Sequence, residues 1–202
     1  QAALTDMSVL PAPSRPILTP MLILLPPSEK KGKEPGPAIT VYTGVLYQGL
    51  GWATLSKAAQ NRAQKSIAII SAKYGSLKCL DPIEPYKEKI NAAHMRGPIK
   101  QVLDGIETDL VIDCRSSTYQ SVWTPPAHKC VEIKVFSKVD GVKKVITHMS
   151  KKTRGEVTRL LLLSKTIPSD PQELAEIVST EFDCELFESK ANEPWVLEVI
   201  AH

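Results

Sequence analysis

Residues 21–25 read Met-Leu-Ile-Leu-Leu and are followed directly by Pro26 and Pro27. An uninterrupted apolar run of this length, ended by prolines, is typical of a strand that is buried on both faces of a sheet. Similar runs occupy residues 65–70 (Lys-Ser-Ile-Ala-Ile-Ile) and 109–113 (Asp-Leu-Val-Ile-Asp). The three runs predict three buried strands, and these decide the fold class.

Helical patterns separate the predicted strands. Residues 39–65 predict a helix in two pieces that divide near Gly49-Leu50-Gly51, and residues 91–107 predict a helix with a loose apolar stripe. A short helix is expected from Ser116 to Val122, and residues 28–38 and 71–88 are expected to be loops. Strands that alternate with helices favour a partly parallel sheet covered by helices.

The C-terminal part of the chain predicts more strands, over residues 129–135, 143–148, 185–188 and 194–200. It also predicts a helix from Ser150, as the N-cap, to about Leu163. A further helix is expected over residues 170–179, with Asp170 as N-cap and Pro171 at the first helical position. The expected fold class is therefore α/β, a single domain whose mixed, mostly parallel sheet is covered by helices and ends in antiparallel C-terminal strands.

Composition is that of a globular protein rather than a disordered one. The chain has 202 residues, of which 43% are hydrophobic and 23% charged, and such a chain is long enough to bury one sizeable core. Residues 1–20 contain four prolines and are expected to form an extended, proline-rich N-terminal arm. Residues 21–202 are expected to form the α/β domain.

The sequence indicates neither a membrane-spanning segment nor a metal site. No apolar run approaches the roughly 20 residues of a membrane-spanning helix, and the first twenty residues lack the pattern of a secretory signal. The cysteines are too far apart for a Cys-x-x-Cys motif and are expected to be reduced thiols of a cytoplasmic protein; they are Cys79, Cys114, Cys130 and Cys184. Histidines and carboxylates show no ligand spacing, so we expect no metal and no other cofactor.

Charge is unevenly distributed, although the net charge is only +3. The segment from Lys129 to Lys165 is mainly basic, and acidic residues predominate after it. One explanation is that an anionic partner binds one face of the protein. The other is that the two segments pack together and partly neutralise each other, and the sequence leaves both explanations open.

Hydroxyl groups and cations follow the predicted strands. The segments are Pro27-Ser28-Glu29-Lys30-Lys31, Ser71-Ala72-Lys73-Tyr74-Gly75, Cys114-Arg115-Ser116-Ser117-Thr118-Tyr119 and Ser150-Lys151-Lys152-Thr153-Arg154-Gly155. Because ligands of open α/β sheets bind beyond the carboxyl ends of the strands, the segments predict one cationic, polar cleft for an anionic or phosphate-bearing ligand. The alternative is that the hydroxyls cap helices and the cations face the solvent.

Four cations are expected on the helix that follows Ser150: Lys151, Lys152, Arg154 and Arg159. They form either a solvated basic face or an anion clamp at the start of the helix, where the helix dipole also favours negative charge.

Asp81 serves either as a turn cap before Pro82 or as a base that orients a lysine. Lys73 or Lys151 would become a nucleophile or base if burial lowered its pKa.

Several segments, taken in order, resemble the YaaA (peroxide-stress) family, and its shorter actinobacterial-type members in particular. The segments are Met21–Lys30 (MLILLPPSEK), Tyr42–Leu50 (YTGVLYQGL), Ser71–Tyr86 (SAKYGSLKCLDPIEPY), Ser116–Tyr119 and Lys151–Gly155 (KKTRG) with Arg159. The stretch 71–86 is the most diagnostic, because Ser-x-x-Tyr-Gly-x-Leu is followed by Leu-Asp and Pro-Tyr. The first loop departs from the family pattern, since it reads Pro-Ser-Glu-Lys where other members read Pro-Ala-Lys-Thr.

The resemblance implies an intracellular role in tolerance of hydrogen peroxide, limitation of intracellular iron, and DNA binding. The motif residues that carry over are Gly44, Tyr47, Gly49, Ser71, Tyr74, Gly75, Asp81, Pro85, Tyr86, Ser116, Tyr119, Lys151, Arg154, Gly155 and Arg159. No DNA-binding motif of the family maps onto particular residues of this chain.

Two functions are open at this point. The first is a non-enzymatic stress protein that binds DNA through its basic surface. The second is an enzyme for a small anionic or nucleoside-like substrate, with Lys73, Lys151 or Asp81 as catalytic residues. The expected ligand-binding residues are Ser28, Lys30, Tyr47, Ser71, Tyr74, Tyr86, Arg115, Ser116, Tyr119, Lys152, Arg154 and Arg159. A third possibility is a partner protein that docks on the proline-rich arm.

Overall fold

The computed structural model describes residues 17–202, and most of the predicted N-terminal arm lies outside the described residues. The strands are β1 (Ile17–Leu25), β2 (Gly36–Pro37), β3 (Ile67–Ser71), β4 (Gly75–Leu77), β5 (Pro82–Ile83), β6 (Ile106–Asp113), β7 (Cys130–Val139), β8 (Val142–Lys144), β9 (Cys184–Phe187) and β10 (Trp195–Ile200). The helices are α1 (Ala38–Val41), α2 (Val45–Leu50), α3 (Lys57–Ser66), α4 (Ala92–Leu103), α5 (Ser117–Gln120), α6 (Thr147–Leu163) and α7 (Pro171–Val178), with 3₁₀ turns at Trp52–Thr54 and Ala127–Lys129.

The main sheet has the strand order β4-β3-β1-β6-β7-β10-β9, and β8 pairs with β7. The central strands from β3 to β10 are parallel to one another, whereas β4, β8 and β9 are antiparallel to their neighbours. The predicted α/β class, with a mostly parallel sheet and antiparallel strands toward the C-terminus, is confirmed. The segment 71–88, which was expected to be a loop, contains two short strands. These are β4, at the edge of the sheet opposite β9, and β5.

Strand β1 lies in the middle of the sheet and is covered on both faces. The side chains of Met21, Ile23 and Leu25 belong to one buried cluster, which α2, α3, α6 and α7 cover. The side chains of Leu22 and Leu24 belong to a second cluster against α4. All five residues are at most 2% exposed, so a strand in this position must be apolar throughout rather than alternating.

Strand β1 begins at Ile17, four residues before the strand predicted from Met21. Its first part pairs with Glu107 and Thr108 of β6. Pro20 interrupts the strand pattern in the sequence, because proline lacks the N–H group of a regular ladder and is usually confined to strand ends or edges. The last residues of the predicted arm therefore belong to the sheet.

The predicted boundary between a strand and a helix near His148 is wrong. Strand β8 ends at Lys144 and α6 starts at Thr147, so His148 lies in the first turn of the helix. Ser150 is not the N-cap: it is buried within α6, and its hydroxyl donates a 3.2 Å hydrogen bond to the carbonyl of Val135. The β-branched residues before the helix have the composition of a strand, and packing of α6 against β7 overrides that preference.

The other helices agree better with the predicted caps and breaks. Asp170 caps α7, since its carboxylate accepts a 2.8 Å hydrogen bond from the amide of Glu173. The helical region 39–65 divides because Gly51, in the left-handed conformation (φ 61°), ends α2, and Ser56 then caps α3. Within residues 17–202, no helix has both the length and the apolar character needed to cross a lipid bilayer.

Helices α2 and α6 cross in close contact at two glycines. A methyl group on Gly155 would overlap the carbonyl oxygen of Leu46 and would lie 2.9 Å from the amide nitrogen of Leu50. A methyl group on Gly49 would likewise overlap the carbonyl oxygen of Lys152. The two backbones can approach this closely only because neither glycine carries a Cβ atom.

We expect Gly155→Ala to lower the free energy of unfolding by about 2 kcal/mol or more, because the added methyl group must push α6 away from α2. The matched control is Gly32→Ala, where a methyl group would meet only the carbonyl oxygen of Val41, at 4.0 Å, and where the change in stability should stay within about 0.5 kcal/mol. Urea unfolding followed by circular dichroism measures both variants. Equal stabilities would contradict the importance of the close crossing.

Candidate functional site

A cleft of about 1010 Å³ opens beyond the carboxyl ends of β1 and β6. Its walls come from the segment after β1, the start of α2, residues 86–90, the segment after β6, and the first turns of α6. The lining residues with polar or charged side chains are Ser28, Glu29, Lys30, Lys31, Tyr47, Gln48, Tyr86, Lys87, Glu88, Lys89, Ser116, Thr118, Tyr119, His148, Lys151 and Arg154. This is the edge at which parallel sheets of α/β proteins commonly bind ligands.

Eight of the residues predicted from the sequence line this cleft: Ser28, Lys30, Tyr47, Tyr86, Ser116, Tyr119, Lys151 and Arg154. The other predicted residues are not among its lining: Ser71, Lys73, Tyr74, Asp81, Arg115, Lys152 and Arg159. The rule that ligands bind at the carboxyl ends of strands therefore locates the cleft, but it does not separate the residues that face it from those that support it.

The charged lining of the cleft is mainly cationic. Six of its side chains are basic, namely Lys30, Lys31, Lys87, Lys89, Lys151 and Arg154, and two are acidic, Glu29 and Glu88. Basic side chains therefore outnumber acidic ones by four around the cleft (six against two), although the net charge of the whole chain is only +3. The sequence gives no separate signal for Lys87 and Lys89, which lie one and three residues after Tyr86.

Ser28 joins the segment after β1 to the start of α2. Its hydroxyl donates a 2.6 Å hydrogen bond to the carbonyl of Lys30 and accepts a 2.8 Å hydrogen bond from the amide of Gly44. A methyl group on Gly44 would overlap this hydroxyl oxygen. The hydroxyl thus shapes the wall that carries Lys30 and Lys31, and its hydrogen bonds stay within the protein.

A chain of buried hydroxyl groups lies behind the cleft. The hydroxyl of Tyr86 is 2.7 Å from the hydroxyl of Tyr42 and 2.8 Å from the Ser71 Oγ atom. Ser71, at the end of β3, also accepts hydrogen bonds from the amides of Lys73 and Tyr74, at 3.2 and 3.1 Å. Ser71 and Tyr74 therefore position Tyr86, which is the member of this group that borders the cleft.

Tyr47 and Tyr119, which line the cleft, and Tyr42 behind it are neutral at physiological pH. Burial raises the pKa of Tyr42 and of Tyr47 well above the usual range, and it raises the pKa of Tyr119 to about 12. The Tyr47 hydroxyl donates a 2.6 Å hydrogen bond to the carbonyl of Pro26. The phenol rings consequently add aromatic surface and neutral hydrogen-bonding groups without reducing the positive charge of the cleft.

Lys31 is the cleft lysine with the most distinctive surroundings. Its Nζ atom lies 4.2 Å from the ring centroid of Tyr86 and 5.8 Å from that of Tyr42. Partial burial lowers the pKa of Lys31, while the carboxylates of Glu29 and Glu88 oppose this shift. The sequence predicts that Lys30 and Lys31 follow a strand at the cleft, but it gives no reason to prefer Lys31. The contact of Lys31 with Tyr86 joins distant parts of the chain and is visible only in the structure.

Arg115 belongs to the scaffold and not to the cleft lining. It is 1% exposed, and its guanidinium donates hydrogen bonds of 2.9 Å to each carboxylate oxygen of Asp113. The same group donates to the carbonyls of Tyr119 and Trp123, each at 3.0 Å. Since four of its five N–H groups already donate to these partners, the position of Arg115 gives no support to the prediction that it contacts a ligand.

The predicted clamp of four cations on α6 contains two residues that face the cleft. Lys151 and Arg154 line it, whereas Lys152 lies 3.5 Å from the carboxylate of Glu156. Arg159 donates 3.0 Å hydrogen bonds to the carbonyls of Leu50 and Gly51 at the end of α2. Helical spacing alone does not separate these roles, because they depend on how α6 is rotated against α2.

The candidate catalytic residues Lys73 and Asp81 are also not among the residues that line the cleft. The Lys73 ammonium is 3.8 Å from the Glu88 carboxylate and 5.3 Å from the ring centroid of Tyr74. Asp81 accepts a 2.8 Å hydrogen bond from the amide of Lys78, which is the turn-stabilising role that the sequence allowed. Lys151 is the one member of the predicted catalytic group that borders the cleft.

The described residues contain no group that could bind a metal ion, and the thiol that borders the cleft is mostly protonated. Among residues 17–202, no three His, Cys, Asp or Glu side chains are grouped closely enough to hold a metal ion. Cys114 borders the cleft, but burial raises the pKa of its thiol to about 12. The thiolate, which is the reactive form, is therefore scarce at neutral pH.

Comparison with known proteins identifies a family to which the sequence of this chain is similar. Residues 26–186 match the family model described as "Peroxide stress protein YaaA". A UPF0246 protein of Streptomyces coelicolor is 34% identical over 182 residues, which cover 82% of this chain and 69% of that protein. A UPF0246 protein of Corynebacterium efficiens is 35% identical over 155 residues, which cover 70% of this chain and 60% of that protein. The chain thus spans 60% to 69% of the length of these relatives.

We expect Tyr86→Phe to lower the free energy of unfolding by about 1–3 kcal/mol, because it leaves the buried hydroxyls of Tyr42 and Ser71 without their shared partner. The control is Tyr74→Phe, which removes a hydroxyl that accepts one 3.2 Å hydrogen bond from the exposed amide of Glu84. Its cost should stay below about 1 kcal/mol. Chemical denaturation of both variants tests the difference, and similar losses would show that the hydroxyl chain adds no special stability.

Proposed function

Because the chain belongs to the YaaA family of peroxide stress proteins, we propose that it acts in the response to peroxide by binding DNA in its cationic cleft. The observation that carries this proposal is the charge of the cleft lining, with six basic side chains against two acidic ones. Phosphate groups of a DNA backbone are the abundant polyanion that such a surface attracts.

The cations are distributed around the cleft as an extended polyanion requires. Lys30 and Lys31 follow β1, Lys87 and Lys89 lie on a second wall, and Lys151 with Arg154 comes from α6. Most of them are exposed at the rim: Lys30, Lys87, Lys89 and Lys151. A single small anion would need one compact cluster, whereas a strand with regularly spaced phosphates can contact several walls at once.

We expect Lys151→Ala to weaken DNA binding and to reduce the slope of log K against log salt concentration by about 1, because one phosphate contact is lost. The matched control is Lys165→Ala, which removes the same charge beyond the other end of α6, about 20 Å away by the helical rise. Lys165 is exposed and forms no ion pair within residues 17–202. Fluorescence anisotropy with a short labelled duplex, measured over a series of salt concentrations, gives both quantities.

Two results would count against DNA binding in the cleft. Absent binding, or binding that does not change with salt, would remove the proposal altogether. Equal losses in Lys151→Ala and Lys165→Ala would assign the binding to overall charge and not to the cleft.

A second candidate is an enzyme that acts on a small nucleoside-like anion. The observation that favours it is the hydroxyl chain of Ser71, Tyr86 and Tyr42, because buried polar groups beside a cleft are typical of acid–base catalysis and are not needed for binding a backbone. Lys31 contacts this chain of hydroxyl groups, since its Nζ atom lies 4.2 Å from the Tyr86 ring centroid, and burial lowers its pKa. Lys31 therefore replaces Lys73 as the base or nucleophile in this hypothesis.

Thermal unfolding in the presence of nucleoside monophosphates tests the second candidate. If it is correct, one monophosphate should raise the Tm even at high salt, since an enclosed ligand depends less on screened charge. The rise should disappear in Lys31→Met and persist in the control Lys165→Met. A Tm that responds to DNA alone, and only at low salt, would eliminate this candidate and favour the first.

A further inference from the structure

Lys31 differs from the other lysines of the cleft lining in being half-buried and firmly held. The other four are exposed: Lys30, Lys87, Lys89 and Lys151. The backbone on both sides of Lys31 is fixed, because the Gly32 amide donates a 2.8 Å hydrogen bond to the carbonyl of Val41 and the Thr43 amide donates a 3.0 Å hydrogen bond to that of Lys30. The lysine side chain therefore starts from a rigid base, as a group that must meet a ligand in one geometry requires.

The amine of Lys31 has few partners of its own. Its Nζ atom lies 4.2 Å from the ring centroid of Tyr86 and 5.8 Å from that of Tyr42, and within residues 17–202 its one hydrogen bond is a long 3.5 Å contact to the carbonyl of Glu29. Partial burial also lowers the pKa of Lys31. The neutral amine, which is the nucleophilic form, is therefore more abundant than in an exposed lysine.

The same cleft offers a site for a phosphate group. Arg154 donates a 3.2 Å hydrogen bond from its Nε atom to the carbonyl of Ile133, and its two terminal nitrogens form no hydrogen bond to any other group of residues 17–202. A guanidinium that is anchored in this way keeps the planar fork that binds phosphate. Lys151, which also lines the cleft, lies one helical turn before Arg154 and adds the second positive charge that suits a dianion.

Apolar side chains complete the lining of the cleft. They are Pro26, Pro27, Val45, Leu46 and Ile90. The cleft volume of about 1010 Å³ is sufficient for a small organic molecule, since pockets for such ligands measure about 300–1,000 Å³. A carbon skeleton can therefore lie against this apolar surface while its charged end contacts the cations.

We infer that the cleft takes a small aldehyde or ketone that carries a phosphate group, and that its carbonyl carbon condenses with the Nζ atom of Lys31 while Arg154 and Lys151 hold the phosphate. The neutral amine adds to the carbonyl carbon. The carbonyl oxygen then leaves as water together with both amine hydrogens, and a C=N double bond joins the ligand to Lys31. The step consumes no oxidant or reductant.

This inference is independent of DNA binding. It keeps Lys31 as the nucleophile of the second candidate function, but it changes the substrate from a nucleoside-like anion to a phosphorylated carbonyl compound. Imine formation is a property of the amine and the phosphate site, so it can be measured whether or not the cleft also binds DNA.

Pyridoxal phosphate, an aldehyde with one phosphate group, is the probe for this reaction. The full chain is mixed with a substoichiometric amount, borohydride reduces the imine to a stable secondary amine, and mass spectrometry of the peptides locates the label. We expect Lys31 to carry most of the label. Pyridoxal, which lacks the phosphate, should label Lys31 roughly tenfold less, because the charge-assisted hydrogen bonds to the phosphate are absent.

Three variants separate the parts of the site, and the Tm of each is measured to show that it is folded. Lys31→Arg keeps the positive charge beside Tyr86 but cannot form an imine, so it should lose this label. The matched control is Lys33→Arg, at an exposed position outside the cleft lining, and it should keep the label. Arg154→Met should reduce labelling by pyridoxal phosphate roughly tenfold and leave labelling by pyridoxal unchanged.

The distribution of the label decides the outcome. A label that is spread over the exposed lysines in the proportions found for the urea-unfolded chain would overturn the inference, and so would equal labelling of Lys31 by pyridoxal phosphate and pyridoxal. Either result together with salt-dependent DNA binding would leave the proposed function standing. Selective labelling of Lys31 in a chain that binds no DNA would support this inference and remove the proposed function.

Discussion

The close crossing of α2 and α6 is the constraint on which the cleft depends. Gly49 and Gly155 allow the two backbones to touch, and this contact fixes both the distance and the rotation of α6 relative to the sheet. The rotation turns Lys151 and Arg154 toward the carboxyl ends of the strands. Arg159 extends the same contact by donating hydrogen bonds to the carbonyls of Leu50 and Gly51 at the end of α2. The position of this cationic wall therefore depends on the two glycines, because a larger residue would not fit at the crossing.

Two buried polar groups shape the remaining walls. The ion pair of Arg115 with Asp113 is almost fully buried, and it is acceptable there because the guanidinium also donates to two carbonyls. It holds the segment after β6 so that Ser116 and Tyr119 border the cleft. The hydroxyl chain through Tyr86 does the same for the segment after β3. Both groups supply rigidity to the cleft, and neither charge of the ion pair is free for a ligand.

The motif residues that mark the family consequently belong to two groups with different roles. Tyr47, Tyr86 and Lys151 border the cleft, whereas Gly155 and Arg159 hold the helices that form its walls. The sequence does not separate these groups, because a serine or arginine has the same appearance in a motif whether it contacts a ligand or a carbonyl. Arg115 and Arg154 illustrate the difficulty: each lies next to hydroxyl residues in the sequence and donates to a backbone carbonyl, but only Arg154 also lines the cleft.

The sequence by itself determined the class of the fold and the edge of the sheet at which the cleft lies. Continuous apolar runs identify buried strands, and parallel strands bring their carboxyl ends to one edge. The tertiary structure alone decided which side chains meet there, because the cleft combines residues as distant in the chain as Lys31, Tyr86, Tyr119 and Lys151. Local patterns specify the elements that carry these side chains. Their final directions depend on helix rotation and long-range hydrogen bonds, which no short stretch of sequence contains.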